Sequence, residues 1–282
     1  MTLAATRELI DAAVTAGSAV PAFNVISLES AEAIVTGAER ANTGVLLQLS
    51  ENAIAWHGGS LEPLVAACAE LAAKAMVPVG IHLDHFEDRA LVDHAIGIAG
   101  RFGIGSLMFD ASREPYDSNV ALTAAVAEHA HANGLWVEAE LGEVGGKDGA
   151  HARGVRTDPS EAAAYVEATG VDALAVAVGS SHAMTDRSAQ LDVDLIRALA
   201  AAVPVPLVLH GSSGVSDEGI AAAVAAGIRK INVGTALNLA WTAALRASLA
   251  ANPDVSDPRR YSKEARADVA ALVAHLCGVI AG

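Results

Sequence analysis

Four histidines stand where imidazole chemistry could occur. His82, His85, His182 and His210 sit at the ends of apolar, β-like runs, in HLDH, GSSH and LVLHG. Imidazole suits Zn²⁺, and three protein ligands plus one open position is the arrangement of a catalytic zinc. Asp84 lies between His82 and His85. Side chains alternate faces along a strand. At most one of these two histidines is therefore expected to share the side of Asp84. The turn that follows favours His85 as a ligand and leaves His82 in the core or behind the ligands. Spacing alone leaves two readings open: a zinc site of His85, His182 and His210, or a set of structurally satisfied histidines. The other six of the ten, His57, His94, His129, His131, His151 and His275, fall in expected helices or loops as solvated or capping residues.

These residues need a scaffold, and the chain supplies eight short apolar runs: 20–25, 44–50, 77–85, 104–112, 135–141, 173–179, 205–211 and 228–235. Continuous apolar runs suit parallel strands buried on both faces. Between them lie Ala-rich stretches with helical spacing, such as 29–41, 61–75 and 118–134. Gly134 and Gly170 stand where C-caps would. Asp158 reads as an N-cap followed by Pro159 and Glu161. Eight strands alternating with helices predict a (β/α)8 TIM barrel, one domain over 1–282, with a C-terminal helical tail at 252–282. A doubly wound open sheet is the rival, weakened because no Gly-rich dinucleotide fingerprint follows the first strand. The Gly-rich polar segment 142–158 reads as a mobile lid.

A barrel places its chemistry where strands end at the C-terminal face. Polar residues fall there on all eight: Asn24; Gln48 and Ser50; Asp84 and His85; Asp110; Glu138 and Glu140; Ser180 to His182; His210 to Ser213; Asn232 to Thr235. Packing alone does not account for that distribution. HGSSG (210–214) and NVGT (232–235) follow strands seven and eight, where barrels often hold phosphate on backbone N–H groups; two Gly/Ser-rich turns are the plainer reading.

Composition bounds the partners. The 282 residues carry 18 Lys+Arg against 33 Asp+Glu, a net charge of −15, with 52 % hydrophobic and only 4 % aromatic residues. The acidic balance disfavours nucleic acid and anionic membranes, and few aromatics leave few platforms for base stacking. No run of ~18 apolar residues free of charge suggests a membrane span. The charged N-terminus is unlike a signal peptide, so a cytoplasmic protein is expected. Cys68 and Cys277, both in apolar helical surroundings, read as buried free thiols.

PAFNV, LLQLSE, HLDH, VEAELGEVGG, LAVAVGSSH, LVLHGSSGV and KINVGT occur in one order from about residue 5 to the DPRRY tail. Together they resemble the class II, zinc-dependent ketose-bisphosphate aldolases of the fructose/tagatose type. The resemblance implies zinc ligands at His85, His182 and His210 and a catalytic aspartate at Asp84. It implies an alternative or second metal position at Asp110 and Glu140. Gly211, Ser213, Asn232 and Thr235 would hold the phosphate nearest the carbonyl, with a monovalent cation (Na⁺ or K⁺) near Ser213. Asn24 and Ser50 would line the pocket. Arg259 would reach a neighbouring subunit's site, which implies a homodimer or homotetramer. The substrate would be a small sugar phosphate, a ketose 1,6-bisphosphate cleaved to dihydroxyacetone phosphate and glyceraldehyde 3-phosphate. No lysine Schiff base is required, and Lys230 on strand eight reads as structural.

Three positions depart from the family pattern. Asp148 stands where the loop acid is usually Glu, with Glu143 a weaker rival; Ala183 replaces a usual Gly; and Gly234 is small where fructose-type members often carry an acidic or amide residue. These departures keep two alternatives in view, an aldolase for another phosphorylated ketose or deoxy sugar acid phosphate and a low-activity sugar-phosphate-binding paralogue. A different metal-dependent barrel such as a hydrolase also stays open, because Asp84 could serve as the base that activates a metal-bound water.

Overall fold

Eight strands close into one barrel in chain order, every neighbouring pair parallel: β1 (Val20–Asn24), β2 (Val45–Ser50), β3 (Val79–Phe86), β4 (Ile104–Phe109), β5 (Trp136–Glu140), β6 (Ala173–Ala175), β7 (Leu207–Leu209) and β8 (Ile228–Val233). This is the TIM barrel expected from the alternation of apolar runs and helices. The computed structural model describes residues 3–141, 156–181 and 183–282.

The two faces of each strand bury different things. Phe23, Leu47, Leu49, Ile81, Leu83, Leu107, Val137, Leu174, Leu209 and Ile231 pack outward into the large core beneath the helices. The alternate residues Val20, Ala22, Leu46, Met108, Trp136, Ala173, Ala175 and Val208 form a smaller apolar cluster with Ile10 and Ala13 of the helix Thr6–Ala16. That helix closes the N-terminal end of the barrel. Thr6 anchors it through a buried 2.7 Å hydroxyl contact with Ser106. Continuing the inward parity toward the C-terminal ends, the side chains become polar: Asn24, Gln48, His82, Asp84, Glu138, Glu140, Lys230 and Asn232. A two-residue period thus turns apolar strands into a polar end without changing their secondary structure.

The outer helices are fixed by local chemistry. Asp158 caps the helix Pro159–Thr169 by accepting from the amides of Ser160 and Glu161, and Gly170 ends it in the left-handed region at φ 66°. The helix Tyr116–Ala132 ends slightly earlier than expected, with Asn133 at the cap and Gly134 at φ 78° just beyond. The C-terminal helix Lys263–Ala281 lies against the helix Leu28–Ala41 so closely that a Cβ on Gly37 would meet the Ala270 carbonyl oxygen at 2.5 Å.

Strands six and seven are shorter than the apolar runs that contain them. Beyond Val176, whose amide still donates to the Val208 carbonyl, the chain leaves the ladder: the Ala177 amide donates to the Thr157 hydroxyl, and the Asp192 amide donates to the Val178 carbonyl. Val176 and Val178 remain buried, so hydrophobicity does not mark this departure.

Cys68 and Cys277 are buried and unbridged, and burial pushes both thiols up to about 12. His94, His129, His131 and His275 sit half-exposed beside Glu62, Asp93, Asp172 and Asp217, as expected of surface histidines. His57 contacts the Ile26 carbonyl, and His151 lies outside the described residues. Among the described residues, no helix is long and apolar enough to cross a membrane.

Candidate active site

The end of β3 is irregular. Its register with β4 shifts between Leu83 and Phe86, and His85 takes φ 90°, a conformation rare outside glycine. Strict alternation would turn His85 away from Asp84. The shift brings it back, while His82 already shares the inward parity of Asp84. Both histidines therefore end on the side of Asp84 at different depths, and the expectation that at most one would do so is corrected. His82 is fully buried; its Nδ1 contacts Ser106 at 2.8 Å and its Nε2 lies 3.4 Å from Lys230 Nζ. Burial, helped by Lys230, pushes its pKa down to about 3.

Asp84 is held from both sides. Its Oδ2 accepts from Asn24 Nδ2 at 2.9 Å, and its Oδ1 from Asn232 Nδ2 at 3.1 Å. Burial opposes its charge, but His85, His210 and Lys230 outweigh that cost and hold the carboxyl well below the usual range. Ionised and doubly anchored, Asp84 can accept a proton in one defined direction.

Hydrogen bonds fix the two imidazoles beside it. His85 Nδ1 lies 2.8 Å from Asp110 Oδ2, and His210 Nε2 lies 2.9 Å from Glu138 Oε1. Asp110 is steadied by the Ser112 amide and hydroxyl at 3.1 and 2.6 Å. A carboxylate accepts, so each imidazole donates through that nitrogen and presents the other as an acceptor. The two presented nitrogens, His85 Nε2 and His210 Nδ1, face each other at 2.9 Å. Two acceptors at that distance require a shared proton or a cation between them. Burial pushes the His210 imidazole down to about 4. Asp84, His85 and His210 offer ligand atoms within 4.8 Å of one another, and so do His85, Asp110 and Glu140. This donor set of imidazoles and carboxylates fits a divalent ion such as zinc.

A cleft of about 220 Å³ opens over this centre. It gathers Asn24, Ser50, Asp84, His85, Gly211, Ser213, Asn232 and Thr235, eight of the residues expected from the sequence. Ser50 also caps the helix Glu51–Trp56 through the Ala53 amide. At the far wall, Gly211 has φ 66° and approaches Ser181 so closely that a Cβ would lie 2.4 Å from its carbonyl oxygen. Ser213 Oγ accepts from the Ala236 amide at 3.0 Å. The helix Thr235–Ala251 begins here, and Gly234 provides no side-chain cap. Backbone N–H groups at such a terminus suit an anion. Ala183 lines the cleft at φ 58°, a left-handed conformation that glycine would adopt more cheaply.

Arg259 is not gathered into this cleft. It is almost fully exposed, paired with Asp257 at 2.8 Å, and it borders a separate groove of about 440 Å³ with Lys263 and Arg266. Asp148, Glu143 and His182, and most of segment 142–158, lie outside the described residues.

Three residues matter more than the sequence suggested. Glu138 anchors His210, Lys230 anchors Glu138, and Gln48 donates to Asn24 Oδ1 at 3.2 Å. The pairs Glu138/Glu140, Lys230/Asn232 and His82/Asp84 each sit two residues apart on one strand. That spacing places both members on the same face and is the signal that could have drawn them into the site.

Comparison with known proteins agrees with the geometry. The family model "Fructose-bisphosphate aldolase class-II" matches residues 4–281. The chain is 35 % identical over 285 aligned residues to the D-tagatose-1,6-bisphosphate aldolase subunit GatY of Klebsiella oxytoca, covering 99 % of this chain and 98 % of that one. It is 41 % identical to a "Probable fructose-bisphosphate aldolase" of Bacillus subtilis (strain 168), covering 94 % and 93 %. The crystal structure of the YdjI aldolase from Escherichia coli K12 superposes with a TM-score of 0.84 at 32 % identity, covering 99 % and 97 %. A barrel whose polar strand ends converge on paired imidazoles and an ionised aspartate, matched along nearly its whole length by these enzymes, belongs to the class II fructose-bisphosphate aldolase family, and the chain is therefore an aldolase, a carbon–carbon lyase.

Proposed function

We propose that the chain reversibly cleaves a ketose 1,6-bisphosphate of the fructose or tagatose type to dihydroxyacetone phosphate and glyceraldehyde 3-phosphate. The observation that carries this reading is the ionised Asp84, clamped by Asn24 and Asn232 beside two imidazoles whose acceptor nitrogens meet at 2.9 Å. His85, His210 and His182 would hold a zinc ion, with Asp110 and Glu140 offering an alternative position. When bound, that ion supplies a Lewis acid for the ketone carbonyl and the charge that develops beside it.

The chain's own residues supply the rest. Asp84 takes the C4 hydroxyl proton in cleavage and returns it in condensation. Asn24 and Ser50 line the side of the cleft where the sugar chain lies. Gly211, Ser213, Asn232 and Thr235 hold the phosphate nearest the carbonyl, with a monovalent cation beside Ser213 balancing its charge. Asp148 delivers the proton that completes the dihydroxyacetone phosphate product. Arg259 binds the distal phosphate in a neighbouring subunit's site, so the working form is a homodimer or homotetramer, in the cytoplasm. Its exposed position on a groove away from its own cleft supports a role in trans. A Cβ at Gly234 would crowd Asn24 Oδ1 at 3.1 Å, so glycine here lets Asn24 keep its place against Asp84.

The test is cleavage of fructose and tagatose bisphosphates by wild type and by Asp84→Ala. Wild type should turn over at least one, and the variant should retain its metal while losing carbon–carbon cleavage. A metal-replete wild type inert on both sugars would overturn the proposal, as would an Asp84→Ala enzyme of normal activity.

A further inference from the structure

Lys230 is an ammonium with no access to solvent. Its Nζ lies 2.8 Å from Glu138 Oε2, 2.7 Å from Asn232 Oδ1 and 3.4 Å from His82 Nε2. A buried charge is tolerated only where partners surround it. Two of these partners have a second contact nearer the cleft. Glu138 gives one oxygen to Lys230 and the other, Oε1, to His210 Nε2. Asn232 gives its oxygen to Lys230 and turns its Nδ2 to Asp84 Oδ1 at 3.1 Å, with His210 Nε2 also 3.1 Å away.

An ammonium only donates. That removes an ambiguity an asparagine otherwise carries, because the amide could face Asp84 with either end. With Oδ1 committed to Lys230, only Nδ2 can face the carboxylate. His210 Nε2 lies between two partners, Glu138 Oε1 at 2.9 Å and Asn232 Nδ2 at 3.1 Å. Glu138, charge-paired on Oε2, is the nearer and makes the stronger, charge-assisted bond, so Nε2 donates to it and Nδ1 is left turned toward His85. One side chain, itself outside the cleft, therefore orients both halves of the centre.

We propose that Lys230 is a positioning residue that sets the Asn232 amide against Asp84 and, through Glu138, the tautomer of His210. The proposal rests on the aldolase reading for its kinetic arm, while its metal and spectroscopic arms do not depend on the substrate. Carboxylates that orient metal-binding histidines typically govern metal affinity or activity by about 10- to 100-fold.

The experiment compares wild type, Lys230→Met and the double variant Lys230→Met with Glu138→Gln. Co²⁺ is titrated into each metal-free protein and followed by its visible spectrum, and kcat and KM are measured at saturating metal. Lys230→Met should bind Co²⁺ about 10- to 100-fold more weakly with an altered band pattern. The double variant removes the buried charges together, so it should fold. Its new side-chain amide at position 138 can still accept from His210, so Co²⁺ affinity should recover in part. Asn232 stays unanchored, and kcat should remain about tenfold or more below wild type with KM little changed. A double variant with wild-type kcat would overturn the proposal, since Lys230 would then merely neutralise Glu138. So would a folded Lys230→Met protein with wild-type Co²⁺ affinity and kcat. Independently of either variant, ¹⁵N NMR of the metal-free wild type should find His210 as the Nε2–H tautomer; the Nδ1–H form would overturn the proposal. Wild-type cleavage in the same assay separates this failure from failure of the aldolase reading: an enzyme inert on ketose bisphosphates whose variants still lose Co²⁺ affinity contradicts only the latter.

Discussion

Replacing Asn24 by Asp changes almost no volume and one charge, and it sets two carboxylates against each other. Asn24 Nδ2 donates to Asp84 Oδ2 at 2.9 Å. In Asn24→Asp an oxygen would occupy that position. At an effective dielectric of about 20, two unit charges about 3 Å apart repel by about 6 kcal/mol, equivalent to about 4 pK units. The pair relieves this by holding one proton between them, as carboxylate dyads do. Side-chain rotation and the remaining anchor at Asn232 reduce the shift, so an increase of about 2–4 units in the upper apparent pKa is expected. Below that pKa the shared proton blocks Asp84 as a base. The acid limb of kcat/KM for ketose bisphosphate cleavage should therefore move to higher pH by the same amount. Gln48 keeps its acceptor on residue 24, so the fold should survive. The assay is a pH–rate profile of wild type and variant at saturating metal, with circular dichroism to confirm folding. Superimposable profiles would refute the claim that the ionised Asp84 is the base.

Other predictions follow from the same centre and its scaffold. His210→Ala should abolish stoichiometric metal binding, read by elemental analysis after gel filtration; a variant retaining one zinc per chain would contradict the ligand assignment. Metal-free protein should lose stability as pH falls below about 6.5, by up to about 1.4 kcal/mol per pH unit for each of His82 and His210, because the unfolded chain protonates them and the fold keeps them neutral. Their folded values, about 3 and about 4, set the lower end of that window. Asp84 and Glu138, both depressed, add stability that is fully present above about pH 4 and drains away below it. Urea midpoints between pH 8 and pH 4 check this, and a flat profile would contradict it. Gly37→Val should destabilise by about 1–3 kcal/mol or more, because its side chain would run into Ala270 and Val273 of the C-terminal helix. An unchanged melting temperature would show that the two helices do not cross as described.

Much of this was legible in the sequence because it repeats simple rules. Eight apolar runs separated by helical spacing describe a barrel almost by counting, and Asp158 with Pro159 marks a helix start that the structure reproduces. The polar strand ends were visible as residue types and converge as expected on one cleft. What the sequence concealed depends on geometry that residue types do not encode. His85 reaches Asp84 only through a register shift and φ 90° at the end of β3. Strand six stops early because side-chain and loop partners take over the backbone hydrogen bonds while Val176 and Val178 stay buried. Lys230 read as structural because a lone lysine in an apolar strand carries no pattern. Its meaning lies in Glu138, 92 residues earlier in the chain, which only barrel closure brings within 2.8 Å.

Metal dependence of turnover tests the role of the paired histidines most directly. The protein is stripped with a chelator, assayed on fructose and tagatose bisphosphates, and then titrated with zinc. The stripped enzyme should cleave neither sugar, and activity should recover and saturate near one zinc per chain. Cleavage that persists after complete metal removal would contradict the reading of the paired histidines as the heart of the site.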